Sequence, residues 1–391
     1  MSSQAKALRV GIDSTPMLVA QRTGIENYAT ALIRKLAALY HELEGISLSV
    51  YLHAGNPFAS AASVRDVLEL LEQAGLPHRI YARRRGYGLA LSAYAGLDRL
   101  HLLHMLWRAR PGFQFCPYIM TIYDIQSAGL SEEDQRIERS RLSFSDRRMI
   151  AEASGLIAIS ASTKRDLQTE FGPELAVPVQ VIHLGVDPVF FKAYEQKQAM
   201  CRKYGLERYV LFVGTLQHRK NLPRLVEAFA RLKQAHNIPH KLVLAGPGRW
   251  GAELVYAAVA ENGVEGDVFF PGYVPASDLP GLYAGADVFT YPSLHEGFGI
   301  PLLEAMASGT VVLTSRLFSM PEVAGDAAIL VDPYDVDAIS AGLWRALGDN
   351  ELRQRLITKG KARAERFTWR RTATDTLEFY RHIAREGKSL L

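Results

Sequence analysis

Cysteine is nearly absent from this chain: Cys116 and Cys201 are the only two in 391 residues. They stand far apart and without metal-ligand spacing, which fits a reducing cytoplasm and argues against a disulfide framework or a structural zinc site. No apolar run approaches the ~20 residues needed to cross a bilayer. Met1 to Leu8 is polar and leads straight into a strand pattern, so no secretory signal is read there and a cytoplasmic location is expected. Low-complexity tracts and long charge blocks are also lacking. A formal net charge of +4 is too small to point to nucleic acid. The first strand-to-helix loop lacks the glycine fingerprint of a dinucleotide fold, which tells against a dehydrogenase.

What remains is ordinary globular composition, 48% apolar and 22% charged, on a chain too long for one comfortable core, so two domains are expected. Strand and helix patterns alternate from end to end, as in doubly wound α/β proteins. In the first half the strand candidates are Leu8–Ile12, Ile46–Leu52, His78–Tyr81, Tyr118–Tyr123, Leu156–Ile159 and Val179–Ile182. In the second they are Tyr209–Val213, Lys241–Ala245, Val268–Phe270, Val288–Tyr291, Val311–Thr314 and Ala328–Val331. Apolar spacing of three and four predicts helices at Ile25–Ala38, Val64–Leu71, Leu222–Ala235 and Ala338–Leu347. The break is expected just after the Gly185-Val186-Asp187-Pro188 turn, dividing the chain into 1–189 and 190–371. A last helix from Thr372 is expected to pack back on the first domain. Two facing α/β domains place a cleft between the C-terminal ends of both sheets, where such sheets bind ligands.

The most informative stretch runs Tyr291-Pro292-Ser293-Leu294-His295-Glu296-Gly297-Phe298-Gly299-Ile300-Pro301-Leu302-Leu303-Glu304. It joins a buried strand to a helix, with Pro301 suited to the first turn. Gly297 and Gly299 allow close backbone approach, and N–H groups at a helix start attract an anion. Glu304 sits about one turn in and leans toward the same spot; Glu296 borders it from the loop. Carboxylates beside a phosphate cradle suit a ligand that also carries hydroxyls, which is the outline of a nucleotide-sugar site. The plain alternative is a tight turn with a solvated Glu296 and a first-turn acid at 304.

A second loop, Gly214-Thr215-Leu216-Gln217-His218-Arg219-Lys220-Asn221, links a strand to a helix. Arg219 and Lys220 are placed there either to neutralise a diphosphate or as surface cations. Gly24, between the first strand and the first helix, is a weaker phosphate-cradle candidate. The Gly246-Pro247-Gly248 turn is similarly plausible and similarly weak. Tyr123 and Asp124 end a strand and face the cleft as candidates for the transferred group or the acceptor, with turn capping as the alternative for Asp124. Asp335 and Asp337 have the spacing to hold a metal, but they open a helix, where capping explains them, and no metal is expected. Arg79, Arg83, Arg84, Arg85, Arg99, Arg108 and Arg110, interleaved with Leu89, Leu102, Leu103, Leu106 and Trp107, read equally as a membrane- or acceptor-binding face and as an amphipathic helix.

These motifs together resemble the GT-B retaining glycosyltransferases of family 4 (glycosyl transferases group 1). The paired Glu296 and Glu304 within Glu296–Gly309, Phe212-Val213-Gly214 with Arg219-Lys220-Asn221, Pro271-Gly272-Tyr273-Val274 and Pro321-Glu322 carry the likeness over nearly the whole chain. The resemblance implies two Rossmann-like domains facing across a cleft. It also implies a second domain that binds a nucleoside diphosphate-sugar, GDP- or UDP-linked, without a metal or other cofactor. Glu304 would hold the ribose diol, Glu296 with Gly297, Phe298 and Gly299 the sugar and phosphate, Arg219 and Lys220 the diphosphate. Gly214 would belong to the same donor site, and the main chain at Tyr273 and Val274 would meet the base. Thr215 stands where many members carry arginine, and Tyr123 where many carry histidine; tyrosine is no cation near neutral pH. The expected reaction is transfer of a hexose, mannose favoured, to a glycan acceptor, lipid-linked given the basic face. A bacterial surface polysaccharide is the expected product, with peripheral contact to an anionic membrane and no nucleic-acid partner. An epimerase or hydrolase of the same architecture and a non-catalytic sugar-nucleotide sensor are the alternatives.

Overall fold

The computed structural model describes residues 7–19, 24–55, 59–81, 87–106, 116–125, 143–248 and 251–388. Among these, seven strands make the first sheet: β1 (Leu8–Asp13), β2 (Ile46–His53), β3 (His78–Tyr81), β4 (Leu102–Met105), β5 (Tyr118–Ile122), β6 (Gly155–Ala158) and β7 (Val179–Val181). Six make the second: β8 (Tyr209–Val213), β9 (Lys241–Ala245), β10 (Val268–Gly272), β11 (Val288–Tyr291), β12 (Val311–Ser315) and β13 (Ile329–Val331). The orders are β3-β2-β1-β4-β5-β6-β7 and β10-β9-β8-β11-β12-β13. Pairing is parallel throughout, for example Leu8↔Ile46 through Asp13↔Tyr51 and Tyr209↔Lys241 through Val213↔Ala245. Continuous Val, Ile, Leu and Phe runs such as Val210-Leu211-Phe212 are fully buried, as strands covered on both faces must be.

The covering helices follow from their apolar stripes. Leu222–His236 starts with a proline in its first turn, buries Leu222, Leu225, Val226 and Phe229 on one face, and ends at Asn237 with φ 45°. The final helix, Trp369–Lys388, leaves the second sheet and packs on the helix Gly24–Leu39 and on β1. Its Tyr380 hydroxyl meets His104 Nδ1 of β4 at 2.7 Å, while the other ring nitrogen meets Thr121 of β5 at 2.8 Å. Where the chain passes between domains, the two crossing segments lie side by side, Val186 N–H donating to the Phe367 carbonyl at 3.0 Å.

One reading needs correction. Leu102, Leu103 and Leu106 are not part of a basic surface: Leu102 and Leu103 belong to β4, between β1 and β5, and all three are buried. Four residues inside an arginine-rich stretch carry too little period to declare a strand; burial on both faces decides it. Arg79 is neutralised by Asp98, which also accepts from Tyr51 at 2.6 Å. Leu89 and Leu97 are exposed on the neighbouring helix Tyr87–Leu97. Arg83, Arg84, Arg85, Trp107, Arg108 and Arg110 lie outside the described residues.

Candidate active site

The segment after β11 is built as a turn whose carbonyls are tied down. Ser319 Oγ donates to the carbonyls of Glu296 (2.8 Å) and Phe298 (3.0 Å), and Thr163 Oγ1, from the first domain, donates to that of Gly297 (3.2 Å). A trans peptide points its N–H opposite to its C=O, so the amides of Gly297, Phe298 and Gly299 face away from these anchors. Gly299 takes φ 101° and caps the helix Ile300–Ala307, with the expected proline in the first turn. Gly297 has a different reason to be glycine. A Cβ there would fall 1.8 Å from the Tyr123 carbonyl oxygen and 3.2 Å from Asp124 Cβ, so the loop abuts the end of β5 across the cleft.

Because β8 and β11 are neighbours, the loops that follow them meet. The Arg219 carbonyl accepts from Leu294 N–H at 2.8 Å, and its guanidinium reaches Glu296 Oε1 at 2.9 Å and the His295 carbonyl at 3.2 Å. Lys220 donates to the same Glu296 oxygen and to the Tyr291 hydroxyl, with its ammonium 4.7 Å from the Tyr291 ring centroid. Tyr291 is fixed by stacking on Phe212 and Phe289. Burial alone would raise the Glu296 pKa, but Arg219 and Lys220 outweigh it and hold the carboxyl at about 2. Burial and then the Arg219 charge draw Lys220 down to about 8, against the pull of Glu296 and Asp124. Burial opposes the Arg219 charge too, yet Glu296 and Asp124 raise its pKa on balance. The structure thus gathers Asp124, Arg219, Lys220 and Glu296, drawn from both domains, into one charge cluster in which Lys220 and Glu296 are buried and the other two partly so.

Glu304 sits apart from that cluster. Its carboxylate accepts from Tyr283 at 2.8 Å; burial raises its pKa to about 7, with the Asp187 charge adding to the rise and Tyr283 opposing it. Tyr291 feels both acids, whose charges add to the rise in its pKa that burial causes first.

The other expected residues are more scattered. Gly214 ends β8, its N–H bonded to the Ala245 carbonyl at 2.9 Å, and Gly24 is the first residue of its helix, with open space where a Cβ would project. Tyr273 is exposed and Val274 buried just beyond β10, the edge strand three places from β11. Tyr123 turns its hydroxyl to the Leu106 carbonyl at 3.1 Å, so only its main chain faces Gly297. Asp335 caps the helix Val336–Gly348 and Asp337 pairs with Arg231 at 2.5 Å. Among the described residues no group of three or more His, Cys, Asp or Glu side chains is arranged to hold a metal ion.

Sequence reasoning missed the supports: Tyr291 under Lys220, Tyr283 on Glu304, Ser319 and Thr163 on the loop carbonyls. It also gave Glu322 no role. Glu322, on the short helix Met320–Ala324, accepts from the N–H groups of Ala161 (2.8 Å) and Ser162 (3.2 Å) and pairs with His183 Nε2 (2.7 Å). Those three partners belong to the first domain, so a carboxylate of one domain caps the helix Ala161–Phe171 of the other. Nothing local in the sequence announces such a reach.

Comparison with known proteins agrees with the geometry. Residues 22–190 match the Glycosyltransferase Family 4 profile and residues 195–363 the Glycosyl transferases group 1 profile. The chain is 41% identical over 182 residues to the O-antigen chain mannosyltransferase B of Escherichia coli, covering 46% of this chain and 48% of that protein. It is 31% identical over 281 residues to an uncharacterized glycosyltransferase of Methanocaldococcus jannaschii, covering 68% and 69%. It therefore spans about half the length of the first relative. Among solved structures, sucrose-phosphate synthase of Thermosynechococcus elongatus superimposes with TM-score 0.73 at 22% identity, over 96% of this chain and 98% of that one. Anabaena HepE in complex with UDP-glucose gives 0.68 at 18%, over 98% and 100%. With both profiles in tandem over the two facing sheets, and the paired glutamates set at the start of one helix, the chain belongs to the GT-B glycosyltransferases of family 4 and group 1.

Proposed function

We propose that the chain transfers a hexose, mannose favoured, from a nucleoside diphosphate-sugar to a glycan acceptor with retention of anomeric configuration. The reading rests on one observation: the buried Lys220 and the partly buried Arg219 meet Glu296 on the loop that leads into the Glu304 helix, and the two acids differ in pKa. Arg219, Lys220 and the amides of Gly297 to Gly299 stabilise the diphosphate as its bond to the sugar breaks; preorganised charge of this kind usually contributes most to an enzyme's rate enhancement. Glu296 and Asp124 flank the sugar, and a departing phosphate oxygen takes the acceptor proton. Glu304 accepts from the ribose diol. Tyr273 and Val274 lie about 14 Å from β11 at the usual strand spacing, a span suited to a base at the far end of the same donor.

The mannosyl preference draws on the relatives' names, which include an MMP alpha-(1->4)-mannosyltransferase and serotype-specific mannosyltransferases. GDP and UDP donors are both consistent with the reading. A lipid-linked acceptor in surface polysaccharide synthesis, reached at the cytoplasmic membrane face through the exposed Leu89 and Leu97, completes it. In this reading residues 1–189 with the last helix handle the acceptor and residues 190–371 the donor.

The test is incubation with GDP-mannose and with UDP- and GDP-linked hexoses, with and without a lipid-linked oligosaccharide, reading nucleoside diphosphate release and the anomeric configuration of the product by NMR. Acceptor-dependent release with the donor's configuration kept is the expected result. An inverted linkage removes the retaining mechanism; release that ignores the acceptor, or no release with any donor, removes the transferase reading.

A further inference from the structure

A cavity of about 280 Å³ opens where the two inter-domain segments run side by side. His183 enters it from the end of β7, Arg363 and Arg366 from the close of the helix Asn350–Ala364 and the turn after it, and Thr368 and Arg371 from the start of the last helix. Its lining includes none of Arg219, Lys220 and Glu296, although its His183 and Phe367 adjoin the Phe298 ring of the donor loop. β7 is the edge of its sheet and Glu322 follows β12, whereas Arg219, Lys220 and Glu296 follow β8 and β11 in mid-sheet.

Three guanidiniums face this space against two carboxylates, and both carboxylates are engaged. Glu322 is held by Ala161, Ser162 and His183, and Asp375 lies 3.6 Å from Arg371, one turn along the same helix. Arg363 donates to the main-chain carbonyls of Val323 (3.0 Å) and Glu322 (2.5 Å), neutral acceptors, and the Asp326 and Glu322 carboxylates offset its charge only in part. Its pKa is lowered, by burial and then by the like charge of Arg366. The positive end of a twenty-residue helix points the same way. Three forked cations against two carboxylates that are already engaged leave positive charge in excess here, an arrangement suited to phosphate.

We infer that this cavity is a second anion site that binds a phosphate group, apart from the donor site. Its size, near the lower bound for small-ligand pockets, admits a phosphate and the few atoms that carry it. Because His183 belongs to the first domain, Arg363 and Arg366 to the second, and Arg371 to the helix that crosses back, the bound anion favours the closed arrangement over any open one.

The test compares the wild type with an Arg366→Gln/Arg371→Gln variant, both positions being exposed, using inorganic phosphate in calorimetric titration and thermal unfolding. Phosphate should raise the wild-type midpoint saturably, and the double variant should bind at least about tenfold more weakly, since each charge-assisted bond contributes that much. Equal binding by both proteins overturns the inference, because the phosphate then sits elsewhere, such as beside Lys220. A second arm sediments both proteins with phosphatidylcholine vesicles with or without phosphatidic acid. Phosphatidic-acid-dependent, arginine-dependent sedimentation without soluble binding assigns the phosphate to a lipid headgroup; absence of both signals rejects the site. If the glutamine variant fails to fold, Arg366→Lys/Arg371→Lys keeps the charge, loses the fork, and should still weaken binding several-fold.

Discussion

Glu296 and Glu304 stand on one loop and helix, eight residues apart, and share no electrostatic character. Glu296 lies between Arg219 and Lys220 and titrates at about 2; Glu304 has a tyrosine hydroxyl for company and titrates at about 7. Burial pushes both upward, and Arg219 and Lys220 reverse the push at Glu296 alone. Their effects on stability run opposite ways. Glu296 contributes fully above the free value of 4.5, and its contribution is lost as pH falls toward 2. Glu304, protonated in the fold and ionised in the unfolded chain between 4.5 and about 7, loses stability as pH rises through that window. One acid is a permanent charge, part of a preset electrostatic frame. The other is a group whose charge a ligand can change.

Glu296→Gln breaks the comparison most severely. It leaves the buried Lys220 and the partly buried Arg219 side by side without the anion they contact, a loss that costs about 3–5 kcal/mol when a buried pair is broken from one side. The denaturant midpoint should fall accordingly, and kcat should fall by roughly 10²–10³, as when one preorganised charge is removed from a transition-state site. A variant with wild-type turnover would show that Glu296 serves only to neutralise the cations.

Gly297→Ala tests the neighbouring residue, which holds the Glu296 loop against Asp124. The new methyl would meet the Tyr123 carbonyl at 1.8 Å, so the domains must move apart. A displacement near 1 Å costs on the order of 10²-fold in rate when reacting groups come from both sides. Small-angle scattering should show a more open particle with unchanged circular dichroism. Unchanged rate and shape would mean that the contact between the domains is incidental.

The strands were legible because runs such as Tyr209–Val213 are apolar throughout and bounded by turn residues, and their observed limits shift by a residue or two. The loop motifs were legible as well, but separately: that Arg219 and Lys220 meet Glu296 depends on β8 lying beside β11, which no local pattern states. β4 was missed for a related reason. Its His104 is held by Tyr380, 276 residues away, and its four residues look like part of the arginine-rich stretch around them. Gly297 was identified as a place of close backbone approach, but its contact with the Tyr123 carbonyl across the cleft has no local sign. Burial, neighbours in a sheet and contacts between domains are the parts of the physics that local spacing does not carry.

Glu304→Gln sharpens the comparison from the other side. Removing a group that is costly to ionise in place should stabilise the protein above pH 7, by up to about 3 kcal/mol, and erase the loss between pH 4.5 and 7 in thermal unfolding. Donor binding should suffer, because the ribose diol needs a carboxylate: KM should rise about tenfold or more at pH 8, with kcat less affected. In the wild type, donor KM should fall as pH rises through about 7 and level off above it, and the variant should lack that dependence. A variant with the same KM and the same pH profile would remove Glu304 from donor recognition.

Tyr283→Phe makes the smallest change and isolates the one hydrogen bond that favours the ionised form of Glu304. Without it the Glu304 pKa moves further up, since the bond is the influence that lowers it. The fold should lose about 1 kcal/mol at most, because Tyr283 keeps its ring packing on Phe190 and Phe289. The pH at which donor KM improves should shift upward by up to about one unit, with the limiting KM at high pH nearly recovered. A merely structural tyrosine would alter stability and leave that midpoint in place. The position of the pH midpoint, not the size of KM, therefore decides whether Tyr283 tunes the second acid as the cations tune the first.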